Sequence, residues 1–479
     1  MLDLVPAPRD GATLVAPVPR SGTTLVTTVM DAIRQRIESR ALAPGAKVPS
    51  IRRLAEALGV SKSTVVEAYD RLAAEGAIAA RPGSGFYVAR RAQPLTLAEP
   101  GRRLDLTIDP LWIARQALED TDSPTLKPGC GWLPADWMPD PAIRRALRGL
   151  ARSEGAGLVE YDSPLGFAPL RRHLAGRLAE RGIAADSGQI LLADGGTQAI
   201  DLIGRFLLEP GDTVLVDDPC YFNFLGVLRA HRARVIGVPR TPSGPDLDAF
   251  ARAAAEHRPK LYVTNAALHN PTGASLSPQA AHRLLTLAEA HDLVVIEDDI
   301  FADFETEPSP RLAALDGLQR VIHIGSFSKT LSAAVRCGFI AARPDWIEGL
   351  TDLKLATSFS NGALAARLVH RLLTDGSYRR HVEGLRGRLA RAMGETARRL
   401  GALGLVPWVE PRGGMFLWAA LPDGLDSAEV ARRALARDVV LAPGDVFSPS
   451  RSAGRYLRFN VAQSANPRIF AVLEEAMRG

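Results

Sequence analysis

The chain has 479 residues, 46% hydrophobic and 23% charged, a make-up that suits a globular protein of roughly two to four domains and excludes wholesale disorder, a collagen-like chain or a disulfide scaffold. Its three cysteines, Cys130, Cys220 and Cys337, are far apart and form no C-x-x-C pair, which points to a reducing compartment and away from a structural zinc site. The 58 Lys+Arg against 53 Asp+Glu leave a formal charge of +5, and residues 21–91, with 11 Lys/Arg and 6 Asp/Glu, carry the whole excess.

That concentration reads either as a solvated basic face or as the footprint of a polyanion partner. No run of about 18 apolar residues offers a membrane span. At the N-terminus Asp3, Arg9 and Asp10 break up any apolar signal core. The expectation is a cytoplasmic protein of bacterial type with no membrane partner.

In chain order, residues 21–91 predict three helices and a hairpin. Leu25, Val29, Ile33 and Ile37 recur every four residues and form one helical face. Ile51, Leu54, Ala55 and Leu58 make a second stripe, with Ser50 as N-cap and Gly59 as its end. Ser61 opens a third helix that buries Val65, Ala68, Tyr69 and Leu72 and closes at Gly76. From Ile78 to Val88 the chain reads as a hairpin with Arg81-Pro82-Gly83-Ser84-Gly85 at its tip. Residues 92–125, interrupted by Pro94, Pro100 and Pro110, read as a linker with one short helix around 111–118. Residues 126–479 alternate short apolar runs (189–193, 213–216, 234–238, 261–265, 293–297, 321–325, 338–342) with amphipathic stretches, which predicts a largely parallel sheet covered by helices. The last part, mainly about 360–479, reads as a smaller α+β subdomain with a long helix near 378–402 and strands at 415–420 and 455–461.

The third helix opens Ser61-Lys62-Ser63-Thr64, which gathers hydroxyls, an ammonium and free N–H groups at one helix end. That is chemistry for phosphate oxygens and base edges, and also that of an ordinary N-cap. Arg52 starts the second helix, and Gly83 lets the hairpin tip approach a sugar-phosphate backbone closely. In the C-terminal segment the chemistry sits at strand ends. Lys329 follows Ser326-Phe327-Ser328, with Arg336 seven residues on. A lysine after a buried strand can lose its proton and condense with an aldehyde, and hydroxyls with an arginine suit a phosphate. Asp298, ending a strand, can hold a pyridinium nitrogen protonated. Asn270, in His269-Asn270-Pro271-Thr272-Gly273, can donate to a phenolic oxygen. Gly196 and Thr197 start a helix whose N-terminus can cradle an anion, and Tyr221 can stack on a ring.

The run PGAKVPSIRRLAEALGVSKSTVVEAYDRLAAEGAIAARPGSGFYV resembles the GntR-type winged helix-turn-helix regulators of bacteria. The resemblance implies that Arg52, Ser61, Lys62, Ser63, Thr64 and Gly83 contact double-stranded operator DNA. The strand-end constellation resembles the fold-type I, pyridoxal 5'-phosphate (PLP)-dependent aminotransferases. It implies Lys329 for the Schiff base, Asp298 for the pyridine nitrogen and Asn270 for the phenolic oxygen. Arg336, Ser326, Ser328, Gly196 and Thr197 match the phosphate site. Tyr161 matches a tyrosine that reaches the neighbouring subunit's phosphate, which implies a homodimer. Arg458, in Tyr456-Leu457-Arg458-Phe459-Asn460, matches the arginine that binds a carboxylate. Two positions depart from the pattern. Phe301 stands where a tyrosine often donates to the cofactor, and Ala333-Ala334 replaces Pro-Gly.

Together the halves resemble the MocR subfamily of GntR-type regulators: a winged helix-turn-helix at 21–91, a linker at 92–125 and an aminotransferase-like α/β domain at 126–479. The resemblance implies a head-to-tail dimer whose operator binding responds to an amino compound, or to PLP itself. Its rival is a working amino-acid aminotransferase with an attached DNA-binding domain, which Phe301 weighs against.

Overall fold

The computed structural model describes residues 24–89, 112–118, 125–153 and 159–478. The stretch with Asp3, Arg9 and Asp10 and most of the 92–125 linker lie outside the described residues. The chain divides into two compact units, Met1–Arg103 and Leu104–Gly479.

In the first unit, α1 (Leu25–Glu38) starts at Thr24, whose hydroxyl accepts from Thr27 N–H. α2 (Ile51–Leu58) starts at Ser50 and ends at Gly59, which has φ +64°. That left-handed turn redirects the chain into α3 (Lys62–Ala74) three residues later. Val29, Ile33, Leu54, Val65, Ala68, Tyr69 and Leu72 close one core, and Tyr69 Oη donates to Pro49 O at 2.7 Å, tying α3 to the start of α2. Leu25, read as part of the α1 stripe, is exposed, since it is the helix's first residue. The hairpin β1 (Ile78–Arg81) and β2 (Gly85–Val88) pairs Ile78 with Val88 and Arg81 with Gly85. Three helices and a two-stranded wing are what the stripes predict.

The second unit opens with α4 (Trp112–Leu118), α5 (Asp140–Ala151) and α6 (Ala168–Ala179). Its large sheet then alternates β3 (Ile190–Ala193), α7 (Gly196–Leu207), β4 (Thr213–Asp218), α8 (Phe222–Ala230), β5 (Arg234–Thr241), β6 (Gly244–Pro245), α9 (Leu247–His257), β7 (Leu261–Thr264), α10 (Pro278–Ala290), β8 (Val294–Asp298), α11 (Leu312–Asp316), β9 (Val321–Ser326) and β10 (Gly338–Ala341). The strand order is β3-β10-β9-β8-β7-β4-β5-β6. Pairs β9–β8, β8–β7, β7–β4 and β4–β5 are parallel. β10 runs antiparallel to both neighbours, and β6 turns back on β5. The C-terminal ends of β3, β4, β7, β8 and β9 therefore share one edge of the sheet, where open α/β folds place ligands. The strands are apolar on both faces because helices cover both sides.

Then follow α12 (Pro344–Ser358), α13 (Ala363–Thr374), α14 (Ser377–Ala402), β11 (Val406–Pro407), β12 (Phe416–Ala420), α15 (Ser427–Leu435), β13 (Ala442–Pro443), β14 (Tyr456–Asn460) and α16 (Pro467–Arg478). β11-β12-β14-β13 form a separate antiparallel sheet, as a smaller α+β part requires. Its core also takes in Trp112, Ile113 and Leu133. The short helix read within the linker thus packs as part of this body. Its two buried large apolar side chains, Trp112 and Ile113, supply the drive, since burying each contributes about 1.5–3 kcal/mol.

Candidate functional site

Lys329 lies in the turn that follows β9 and sends its amine across the cleft to Gly131 O, 2.8 Å away. Burial pushes the amine's pKa down to about 8. Arg458 and Arg336 add to that shift, while Cys130 and Asp298 oppose it. Near neutral pH a usable fraction is therefore the unprotonated nucleophile. Asp298, the last residue of β8, is buried and receives the Ile300 N–H on Oδ1 at 3.2 Å. Burial raises its carboxyl to about 7, with the Ile300 N–H, Asn265 and the Lys329 charge pulling the other way. Tyr221 faces the same space. Burial pushes its phenol up to about 12, with Arg458, Asp298 and Arg336 all within electrostatic reach.

Arg458 is fully buried in the middle of β14. Its guanidinium lies between the rings of Phe416 and Phe447, with centroids 4.3 and 4.7 Å away. One Nη donates to Gly129 O and the other to Asn270 Oδ1, each at 2.7 Å. Occupying the Asn270 carbonyl oxygen leaves that amide's N–H₂ group as a donor toward the cleft. Nε of Arg458 has no hydrogen-bond partner among the described residues, and burial brings the guanidinium down to about 10. A buried guanidinium with an unpaired N–H can take one more acceptor, such as a carboxylate oxygen.

The remaining strand ends build an anion cradle. Arg336 donates from Nη2 to Asp194 O at 2.8 Å and from Nη1 to Ser328 Oγ at 3.3 Å, and the Ser326 and Ser328 hydroxyls are 3.0 Å apart. Gly195 precedes α7 with φ +92° and ψ 174°, and a Cβ there would sit 2.6 Å from Arg336 Nη2. Only glycine lets the guanidinium approach the first N–H groups of the helix. Gly196 and Thr197 supply that first turn, and the Thr197 hydroxyl accepts from Asn223 Nδ2 at 3.2 Å.

The structure thus gathers Lys329, Asp298, Asn270, Tyr221, Arg458, Arg336, Ser326, Ser328, Gly196 and Thr197 around one sheet edge. Tyr161 is apart. It is 78% exposed and leans on Phe359 with ring centroids 4.9 Å apart. Phe301, at the departure from the aminotransferase pattern, is buried beside Phe304 and edge-on to Phe416.

Sequence reasoning missed two supporting networks. Asp217 is fully buried and accepts from Tyr262 Oη and Thr264 Oγ1, both at 2.6 Å, beside Arg240 at 2.9 Å and His269 Nε2 at 3.3 Å. Burial alone would raise its carboxyl, but Arg240 and these donors hold it well below the usual range. Burial and Arg240 lower His269 to about 4, so it is neutral, with Nδ1 2.8 Å from Thr272 Oγ1. This cluster anchors the turn that carries Asn270. In the second network, Lys354 donates to Pro164 O at 2.8 Å, to Leu192 O at 3.0 Å and to Asn361 Oδ1, and Asn361 Nδ2 donates to Asp194 Oδ1 at 2.8 Å. Lys354 shares the buried face of α12 with Trp346, Ile347 and Leu350. A lysine in an apolar stripe was the signal.

In the first unit Ser61 caps α3 by accepting from Thr64 N–H at 3.1 Å, with Ser63 Oγ 2.7 Å and Thr64 Oγ1 2.8 Å away. Lys62 and Ser63 are exposed on the opening turn. Arg52 is exposed and pairs with Glu56 at 3.0 Å. Gly83 holds φ +72° at the wing tip with open space around it. Beside it the Arg81 guanidinium lies 4.3 Å from the centre of the Tyr87 ring, which sequence reading did not single out.

The family described as bacterial regulatory proteins, gntR family, matches residues 25–88, and that described as aminotransferase class I and II matches residues 135–473. The uncharacterized HTH-type transcriptional regulator YdcR of Escherichia coli (strain K12) is 31% identical, over 90% of this chain and 94% of its own. The chain belongs to the MocR subfamily of GntR-type regulators. Within this MocR architecture the larger domain also resembles enzymes. The 2-aminoadipate transaminase of Thermus thermophilus is 31% identical, over 73% of this chain and 88% of its own. The solved structure of LysN, an alpha-aminoadipate aminotransferase from Thermus thermophilus complexed with N-(5'-phosphopyridoxyl)-L-leucine, aligns at a TM-score of 0.70 and 28% identity, covering 79% of this chain and 96% of that one. The MocR-type chain therefore carries a fold-type I aminotransferase domain, and the family implies PLP. Among the described residues no helix is long and apolar enough to cross a membrane.

Proposed function

We propose that this chain is a cytoplasmic, PLP-dependent transcriptional regulator in which an amino-compound effector, or PLP itself, controls operator binding. The observation that carries the reading is the single cleft holding Lys329, Asp298 and Arg458 in a chain that also carries a GntR-type DNA reader. The domains are read as 21–91 for the DNA reader, 92–125 for the linker, whose helix Trp112–Leu118 packs with the small core, and 126–479 for the sensor.

The cleft residues fit PLP. Lys329 is an amine of lowered basicity placed to meet the aldehyde, and Asp298 is a buried acid in want of a cation such as a protonated ring nitrogen. Asn270 keeps its amide donor free for the phenolic oxygen, and Tyr221 borders the ring. Arg336, Ser326, Ser328 and the N–H groups of Gly196 and Thr197 form the phosphate cradle. When bound, PLP supplies an aldehyde that condenses with amines and a ring that withdraws electrons from them. Arg458, whose Nε has no partner among the described residues, would offer its guanidinium to the carboxylate of an incoming amino acid, and the Lys329 amine would be the base able to hold or return a proton. With Phe301 no hydroxyl stands at that position to tune the phenolic oxygen, which favours sensing over rapid turnover.

Tyr161, exposed beside Phe359, is read as the residue that reaches a second copy's phosphate site in a head-to-tail homodimer. On the DNA side, Lys62, Ser63 and the Ser61-capped start of α3 are read as entering the major groove. Thr64 and Arg52 support that contact, and Gly83 brings the wing to the backbone. An effector shifts the equilibrium only by its differential affinity for the two shapes, typically ~1–3 kcal/mol. Lys329→Ala tests the reading. The variant should lose the visible absorbance of the PLP-loaded chain while cofactor-independent operator binding persists. Visible absorbance unchanged from the parent chain would refute it.

A further inference from the structure

The long helix α14 belongs to two cores. Tyr378 and Val382, in its first turns, pack into the apolar cluster of the large sheet, whereas Leu385, Leu389 and Leu400 pack with the small sheet that carries Arg458. Its 26 residues span about 39 Å at about 1.5 Å each. Its N-terminal end holds the residue after Lys329 by both polar handles. The hydroxyls of Tyr378 and Thr330 are 2.7 Å apart, and His381 Nε2 donates to Thr330 O at 2.8 Å. Tyr378 Oη also meets Asp303. Having one proton, it donates to that carboxylate and accepts from the Thr330 hydroxyl. Asp303 is fixed in turn by Arg177 at 2.7 Å and Arg181 at 2.5 Å, and its carbonyl accepts from Arg386 of α14 at 2.8 Å. Thr330 itself is buried.

We propose that Thr330, Tyr378 and His381 are positioning residues that make α14 a lever between the Arg458 sheet and the Lys329 turn. A carboxylate drawn in by Arg458 moves the small sheet, and α14 moves with it as one rigid body. The backbone at Thr330 follows, so the amine one residue earlier shifts relative to Arg458, Arg336, Asp298 and Cys130, the charged and titratable groups that face it. The part of this inference that concerns loaded PLP rests on the function proposed above. The hydrogen-bond clamp itself does not.

The test uses the full chain with Thr330→Val and Tyr378→Phe, each of which removes one hydroxyl and keeps the shape. Without cofactor, amide hydrogen exchange across residues 327–333 should quicken about fivefold in each variant, the effect of one net hydrogen bond. The double variant should be no faster than Tyr378→Phe alone, because that change has already removed the bond to Thr330. His381→Gln, which keeps a donor for Thr330 O, should hold the wild-type rate where His381→Leu does not. With PLP loaded, the pH midpoint of the visible absorbance should move by about half a unit in both hydroxyl variants, a change that lost packing alone would not produce. Wild-type exchange across 327–333 in both variants overturns the lever. A wild-type chain that takes up no PLP overturns the cofactor reading instead, and the exchange measurement still decides the lever.

Discussion

Replacing Asp298 with Asn tests the electrostatics of the cleft directly. In the cofactor-free chain burial holds this carboxyl at about 7 against an ordinary value of 3.8. Between those two pH values the folded state keeps a proton that the unfolded state has lost, so this group makes stability fall as pH rises from about 4 to about 7. Above that window the whole penalty is present. The gap is worth on the order of 4 kcal/mol at about 1.4 kcal/mol per unit. Asn keeps an acceptor for Ile300 N–H and cannot ionise. Thermal unfolding of cofactor-free wild type and Asp298→Asn should therefore agree near pH 4 and diverge by pH 8, with the variant higher. For a unit the size of Leu104–Gly479, that energy corresponds to about 5 °C. Every other titrating group is common to both proteins and cancels in the difference. PLP should reverse the order, because a protonated ring nitrogen would pair with the wild-type carboxylate alone, and the variant should bind PLP about tenfold or more weakly. A gap between the two unfolding curves that stays constant from pH 4 to pH 8 would refute the reasoning.

Other positions give sharper local tests. Gly195→Ala places a Cβ 2.6 Å from Arg336 Nη2 on a backbone shape that is essentially glycine's alone. It should destabilise the larger unit by about 1–3 kcal/mol in chemical denaturation and weaken binding of PLP more than that of pyridoxal, which lacks the phosphate. Arg458→Gln, which removes the fork facing the cleft, should raise the concentration of amino acid needed for the spectral change, with little effect for the matching amine without a carboxylate. Lys62→Ala should weaken operator binding and reduce its salt dependence by about one unit of slope in fluorescence titrations, with the fold unchanged by circular dichroism.

The periodic elements were legible because their residues face one core. The stripes at Val29/Ile33 and Leu54/Ala55 and the run at 321–325 each became the element expected. The cleft was legible where chemistry is local to a strand end, as at Lys329 and Asp298. What stayed hidden was long-range. Arg240 and His269 look like surface residues in sequence, and they find Asp217 only because β4, β5 and β7 lie side by side. Asn223 shows no link to Thr197 until α7 and α8 pack together. The antiparallel direction of β10 could not be read either, since a short apolar run fits either orientation. The burial of Trp112 in a core it shares with residues of β12 and β14 leaves no periodic mark.

The central claim is that chemistry at Lys329 is what the DNA reader responds to. The most direct measurement is a titration of the PLP-loaded full chain with a panel of amino compounds, following visible absorbance and operator affinity in the same samples. The account predicts that for at least one compound both signals change with the same midpoint, and that Lys329→Ala abolishes both responses. Compounds that shift the absorbance fully while operator affinity and footprint stay constant across the panel would contradict it.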